Sequence, residues 1–130
     1  MIKTIAVDLD GTLAFYHGWN GINDIGEPIQ SCIDLLKALK NDGWRIVINT
    51  CRLNGLRSNT NYELGYKSLV NWLTKHDVPY DKIATQLDGK ILANIYLDDR
   101  GINWKKNMDD LNYSASIYHE IKRMMGYQNE

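Results

Sequence analysis

The stretch "IAVDLDGTLA", residues 5–14, ends an apolar run on two aspartates, Asp8 and Asp10, and follows them at once with Gly11 and Thr12. Side chains at i and i+2 of a strand point to the same face. The strand rise then sets the two carboxylates roughly 7 Å apart. At an effective dielectric of about 20, unit charges at that distance repel by roughly 2 kcal/mol. A cation, a shared proton or plain exposure to water would relieve the repulsion.

Outward from that stretch, strand-like runs alternate with helical patterns. "KTIAVDLD" (3–10) reads as the first strand. Residues 13–27 read as a long ordered loop, with glycines at 18, 21 and 26 and the aromatics Phe15, Tyr16 and Trp19. Pro28 suits the first turn of a helix. Ile29, Ile33, Leu36 and Leu39 follow at helical spacing, and Gly43 closes that helix as its C-cap. "WRIVINT" (44–50) is a β-branched run of the kind found in parallel sheets. A polar loop (51–59) precedes a second helix, marked by Tyr62, Tyr66, Leu69, Val70 and Leu73 and ending before Pro79. "KIATQL" (82–87) reads as a weak strand and "ILANIYLDD" (91–99) as a strong one. Leu111, Ala115 and Tyr118, with Ile117 and Ile121 beside them, mark a closing helix. This alternation predicts a three-layer, Rossmann-like α/β domain over residues 1–130, a parallel sheet with helices on both faces.

In such sheets ligands bind beyond the carboxyl ends of the strands. Asp8 and Asp10 end the first strand, Thr50 the second, and Asp98 with Asp99 the last strong one, so all five line one edge. Four carboxylates converging there need a counter-charge. Hard oxygen donors suit Mg²⁺, usually held by one or two carboxylates, waters and a substrate phosphate. His17, His76 and His119 are scattered and form no zinc-like cluster.

"DLDGT" after a buried strand, a strand ending in Thr50, a lysine ahead of the last strand and "YLDD" together resemble the four motifs of the haloacid dehalogenase superfamily of Mg²⁺-dependent phosphotransferases. The resemblance implies a phosphomonoester hydrolase. Asp8 would attack phosphorus to form an aspartyl-phosphate, and Asp10 would protonate the leaving oxygen and later activate water. Gly11 and Thr12 would shape the turn around the phosphoryl group, and Thr50 would donate a hydrogen bond to it. Asp8, Asp98, Asp99 and the Asp10 backbone carbonyl would hold the Mg²⁺. Lys90, in "DGK", is favoured over Lys82 as the cation that steadies the phosphate. Arg52 is expected to contact substrate, and Arg100 to brace the acidic loop. The gaps between Asp10 and Thr50 and between Thr50 and Lys90 are consumed by elements already assigned, which implies a member without a cap domain. Its site would take a small phosphorylated metabolite or nucleotide, or alternatively a polynucleotide 3′-phosphate end.

Composition bounds the rest. With 44% hydrophobic and 24% charged residues and a formal net charge of −1, the chain is neither disordered nor a generally basic nucleic-acid binder. No apolar run approaches a membrane span. Two cysteines, Cys32 and Cys51, make no disulfide framework, and no leader-like segment opens the chain, so a cytoplasmic setting is expected. The oligomeric state stays open, a homodimer included. "CRLNGLRS" (51–58) offers a rival: C-x5-R is similar to the phosphate loop of cysteine-based phosphatases, with Cys51 as nucleophile. That reading leaves the four aspartates without a purpose. A non-catalytic phosphate-binding domain is a further alternative, which the retention of both Asp8 and Asp10 speaks against.

Overall fold

The computed structural model describes residues 2–53, 59–85, 88, 89, 91–98, 102 and 104–126. The elements run β1 (Thr4–Val7), α1 (Gln30–Asn41), β2 (Arg45–Ile48), a single 3₁₀ turn (Cys51–Leu53), α2 (Asn59–Lys75), β3 (Lys82–Ile83), β4 (Ile95–Leu97) and α3 (Leu111–Met124). All strand pairs are parallel, in the order β3-β2-β1-β4. β1 is central and completely buried. This is the Rossmann-like α/β sheet that the alternation predicts, with shorter strands than the apolar runs.

Pairing sets the faces. Ile5, Val7, Ile46, Ile48, Ile95 and Leu97 share one face and join a core cluster with Ile33, Leu36, Leu69, Leu73, Ile117 and Ile121 of the helices. The β1–α1–β2 and β2–α2–β3 crossovers step the same way across the sheet, so right-handed connections put α1 and α2 on that face. α3 packs on α1. Ala6 and Val47, also buried, point to the other face with Tyr96, whose hydroxyl binds the Ile91 carbonyl and accepts from Ala93 N at 3.2 Å.

Helix ends follow local chemistry. α1 starts at Gln30, two residues after Pro28, and stops in a Schellman arrangement: Trp44 N donates to Leu39 O and Gly43 N to Lys40 O, both at 3.0 Å. Gly43 takes φ +90°, which suits a residue without a side chain, and Asp42 rather than Gly43 is the C-cap. The N-cap of α1, Ile29, makes no side-chain capping hydrogen bond. Asp109, from the segment before α3, accepts from Ser31 N at 3.0 Å instead. Ser114 of α3 donates to Ser31 O at 2.8 Å, so the two helices are locked at that end. Leu36 is fully buried between these layers. Leu36→Ala is therefore expected to cost about 2–5 kcal/mol, read as a drop in the urea midpoint; an unchanged midpoint would mean the α1 face is not core.

Residues 13–29 form a narrow antiparallel flap. Ile29 N donates to Leu13 O at 2.7 Å and Phe15 N to Glu27 O at 2.8 Å, with Ala14 and Pro28 bridged between them. Gly26 sits so close that a Cβ there would lie 2.0 Å from the Phe15 carbonyl oxygen.

Candidate active site

β1 delivers Asp8 to the carboxyl edge of the sheet. Asp8 N donates to Leu97 O at 3.3 Å, and Asn49 N to Val7 O at 2.8 Å. Since Val7 pairs with both Ile48 and Leu97, the next row is Asp8 flanked by Asn49 and Asp98. Neighbouring strands lie about 4.8 Å apart, so the Asp8 and Asp98 backbones are adjacent. One Asp8 oxygen accepts from Leu9 N at 2.8 Å.

Beyond Asp8 the chain coils tightly. The Leu9 carbonyl accepts from Thr12, Leu13 and Ala14 N at 3.1, 2.9 and 3.0 Å, and Gly11 N donates to Ala14 O at 2.7 Å. Gly11 takes φ +83°, and the place of its missing Cβ lies 3.0 Å from the Lys106 Cγ. The turn thus requires glycine twice over, once for the backbone and once for the lysine stem. Thr12 is buried behind it.

Asp10 meets its counter-charge inside the chain. Arg52 Nε donates to one Asp10 oxygen at 2.8 Å and Arg52 Nη2 to the other at 2.9 Å. Nη2 also reaches Asp24 O at 2.8 Å and Nη1 reaches Gly21 O at 3.5 Å. The guanidinium lies 4.9 Å from the centre of the Trp19 ring. One side chain therefore ties the turn after β1, the turn after β2 and the flap tip. The paired side chains are 5% and 17% exposed, Arg52 the more buried. Thr50, also buried, accepts from Arg52 N at 3.2 Å through its hydroxyl and so sets the start of the 3₁₀ turn. Arg52, expected as a substrate contact, forks onto Asp10 in the structure.

Of the two candidate lysines, Lys90 lies outside the described residues, as do Asp99, Arg100 and Arg57. Lys82 opens β3 and forms an ion pair with Asp88 at 2.8 Å. That lysine, together with the Thr85 backbone N–H, holds the Asp88 carboxyl down at about 2. An unfolded aspartate titrates near 3.9, so the pair's stabilisation is complete above about pH 4 and is lost as pH falls through about 2. The difference in urea midpoint between the parent and Asp88→Asn is thus expected to shrink from pH 4 to pH 2. A difference that persists unchanged at pH 2 would refute the assignment.

Cys51 is exposed. Partial burial of the sulfur pushes its thiol pKa up, and the Asp8 and Asp10 charges add to that; a backbone hydrogen bond and Arg52 oppose it without prevailing. A nucleophilic cysteine needs the opposite, a depressed pKa.

Residues without a sequence signal also reach the site. Asn49 flanks Asp8. Lys106 lays its stem on Gly11 and holds its ammonium 5.1 Å from the Tyr16 ring centre. Asn107, at φ +60°, brackets the Tyr16 backbone with its amide at 2.8 and 3.0 Å.

Among the described residues no group of three or more His, Cys, Asp or Glu could hold a metal. Asp8 and Asp98 supply hard oxygen donors side by side, a set that suits a cation keeping several waters, as Mg²⁺ does. The donor chemistry fits Mg²⁺; soft or imidazole-seeking metals find no ligands in that row.

No protein-family model and no curated protein matches the chain. Solved structures do. A conserved protein of Bacteroides thetaiotaomicron is similar over 95% of this chain and 92% of its own, with 24% identity and a TM-score of 0.62. A target protein from Vibrio cholerae is similar over 93% and 100%, with 27% identity and a TM-score of 0.50. The RNA repair complex of Pnkp1, Rnl and Hen1 is similar over 76% of this chain and 36% of its own, with 20% identity and a TM-score of 0.55. These likenesses bear on the fold: the chain is a parallel, Rossmann-like α/β domain. None of the described helices is long and apolar enough to cross a membrane.

Proposed function

We propose that this chain is a Mg²⁺-dependent phosphomonoester hydrolase that works through an aspartyl-phosphate on Asp8. The observation that carries the reading is the row Asp8–Asp98 at the carboxyl ends of β1 and β4, with the Gly11 turn following Asp8 directly in the chain. An Asp8 oxygen attacks phosphorus and the bond to the leaving oxygen breaks, that oxygen taking the proton that Asp10 carries into the step in its protonated form. Water then attacks the same phosphorus, Asp10 takes its proton, the Asp8–phosphorus bond breaks and phosphate leaves. Both Asp10 oxygens accept from Arg52, so a proton carried by Asp10 must sit on a lone pair that the guanidinium leaves free. Asp8 and Asp98 would hold the Mg²⁺, with Asp99 and the Asp10 carbonyl completing the shell. When bound, it neutralises the phosphoryl charge. Thr50 and Lys90 are the proposed contacts of the transferring phosphoryl oxygens. The chain would act as one catalytic domain without a cap, in the cytoplasm, on a small phosphorylated metabolite or nucleotide.

A polynucleotide end is the second reading for the same chemistry. It is favoured by a groove of about 300 Å³ between the flap and α2, where Lys67 and Lys75 stand one on either side of Asn71.

The test is hydrolysis of p-nitrophenyl phosphate with Mg²⁺ and with EDTA, in the parent and in Cys51→Ser. Turnover is expected to need Mg²⁺ and to survive Cys51→Ser within about twofold, since the raised thiol is no nucleophile. Activity that persists in EDTA and vanishes in Cys51→Ser would replace the aspartate mechanism with a thiolate one.

A further inference from the structure

Arg52 has a second side. A cavity of about 510 Å³ opens within the flap, lined by Phe15, Tyr16, His17, Asp24, Glu27 and Arg52 among others. We infer that this cavity receives the alcohol part of the substrate, and that this alcohol carries a planar ring and no second anionic group. The inference rests on the phosphatase reading above.

Position comes first. Asp10 is the group that meets the leaving oxygen, and the cavity shares Arg52 with Asp10. Arg52 forks onto Asp10 and lines the cavity, so the group that hangs from the leaving oxygen is assigned to this volume. Size comes second. Cavities of roughly 300–1,000 Å³ hold drug-sized ligands, so the space greatly exceeds what a phosphate needs.

The walls give the chemistry. Phe15 and His17 alternate on the same side of an extended segment, with rings 6.3 Å apart between centres and inclined by only 9°. The two near-parallel rings make this part of the lining aromatic, against which a ring packs better than an open chain. Charge then excludes polyanions. Asp24 and Glu27 are the acids of the lining, and no cation pairs with either carboxylate among the described residues. The single lining arginine is matched by Asp10 through two hydrogen bonds. A second phosphate in the cavity would meet two carboxylates and neither a lysine nor an unmatched arginine, whereas hydroxyl or amino donors would find acceptors. The lysines that a polynucleotide would use, Lys67 and Lys75, line the separate groove against α2.

The experiment compares kcat/KM with Mg²⁺ for adenosine 5′-monophosphate, glycerol phosphate, adenosine 3′,5′-bisphosphate and a 3′-phosphorylated oligonucleotide. The monophosphate is expected to exceed glycerol phosphate by roughly tenfold, the scale of losing one stacking contact. It should also exceed the bisphosphate. Phe15→Ala and His17→Ala should each shrink the first ratio through KM, and Glu27→Gln should raise the bisphosphate relative to the monophosphate. Adenosine alone, titrated against the Trp19-bearing flap by tryptophan fluorescence, should bind where glycerol does not. Turnover without preference for the ring, or a preference for the oligonucleotide that disappears in Lys67→Ala, would overturn the inference and leave the phosphatase reading intact. Failure to hydrolyse any phosphate would sink the phosphatase reading; the adenosine titration would then decide the cavity by itself.

Discussion

Asp8→Asn is expected to lower turnover of every phosphomonoester by at least about 10³-fold while leaving the fold and its urea midpoint in place. An amide oxygen at that position is a poor nucleophile, and no second carboxylate can take over an in-line attack. Asp98 stands beside Asp8 in the strand register, but one strand away. The side-chain hydrogen bond from Leu9 N to Asp8, at 2.8 Å, can be kept by the asparagine oxygen, which is why folding should survive. The measurement is kcat for p-nitrophenyl phosphate at saturating Mg²⁺, with acid-quench trapping of ³²P on the parent chain. Labelled protein in the parent and none in Asp8→Asn is the expected pair of results. Turnover within about tenfold of the parent would remove Asp8 from the mechanism and return the site to the thiolate or to mere phosphate binding.

Much of this architecture was legible in the sequence because it depends on patterns that are local. A buried strand ending in "DLDGT", a β-branched run ending in Thr50 and a third ending in Asp98 all report through hydrophobic patterning and strand ends. Even the two-residue β3 was visible as a weak strand over 82–87. What patterning does not carry is partner choice between distant residues. The N-terminus of α1 is capped by Asp109, whose position in the chain gives no hint that it reaches Ser31.

The site was legible to the same degree. Residues on strand ends could be placed from register. Those on loops could not, since a loop side chain's direction depends on its own turn geometry. Lys106 and Asn107 gave no sequence signal, yet the first fills the space above Gly11 and the second holds Tyr16 in place. The opening question, how two aspartates coexist two residues apart, has a different answer from the one that composition invites. Asp10 has an arginine of its own.

That arginine makes the second large prediction. Arg52→Met is expected to destabilise the fold by about 3–5 kcal/mol, the usual cost of leaving one member of a buried ion pair without its partner. The pair is mostly shielded from solvent, at 5% and 17% exposure, so screening discounts the figure little. The loss also frees the flap, because Asp24 O, Gly21 O and the Trp19 ring are all held by the same guanidinium. Arg52→Lys should recover charge but not the fork, since an ammonium cannot donate along two parallel lines to one carboxylate. It is expected to fall between the parent and Arg52→Met in urea midpoint. Replacing both partners, as Asp10→Leu with Arg52→Met, should cost less than the sum of the two single changes, because no uncompensated charge remains. Additive costs in that cycle would mean that Arg52 stabilises the flap alone and that its contact with Asp10 is incidental. A coupled cycle, with Trp19 becoming more accessible to quencher in Arg52→Met, would establish one residue as the joint between the catalytic turn and the loop that covers it.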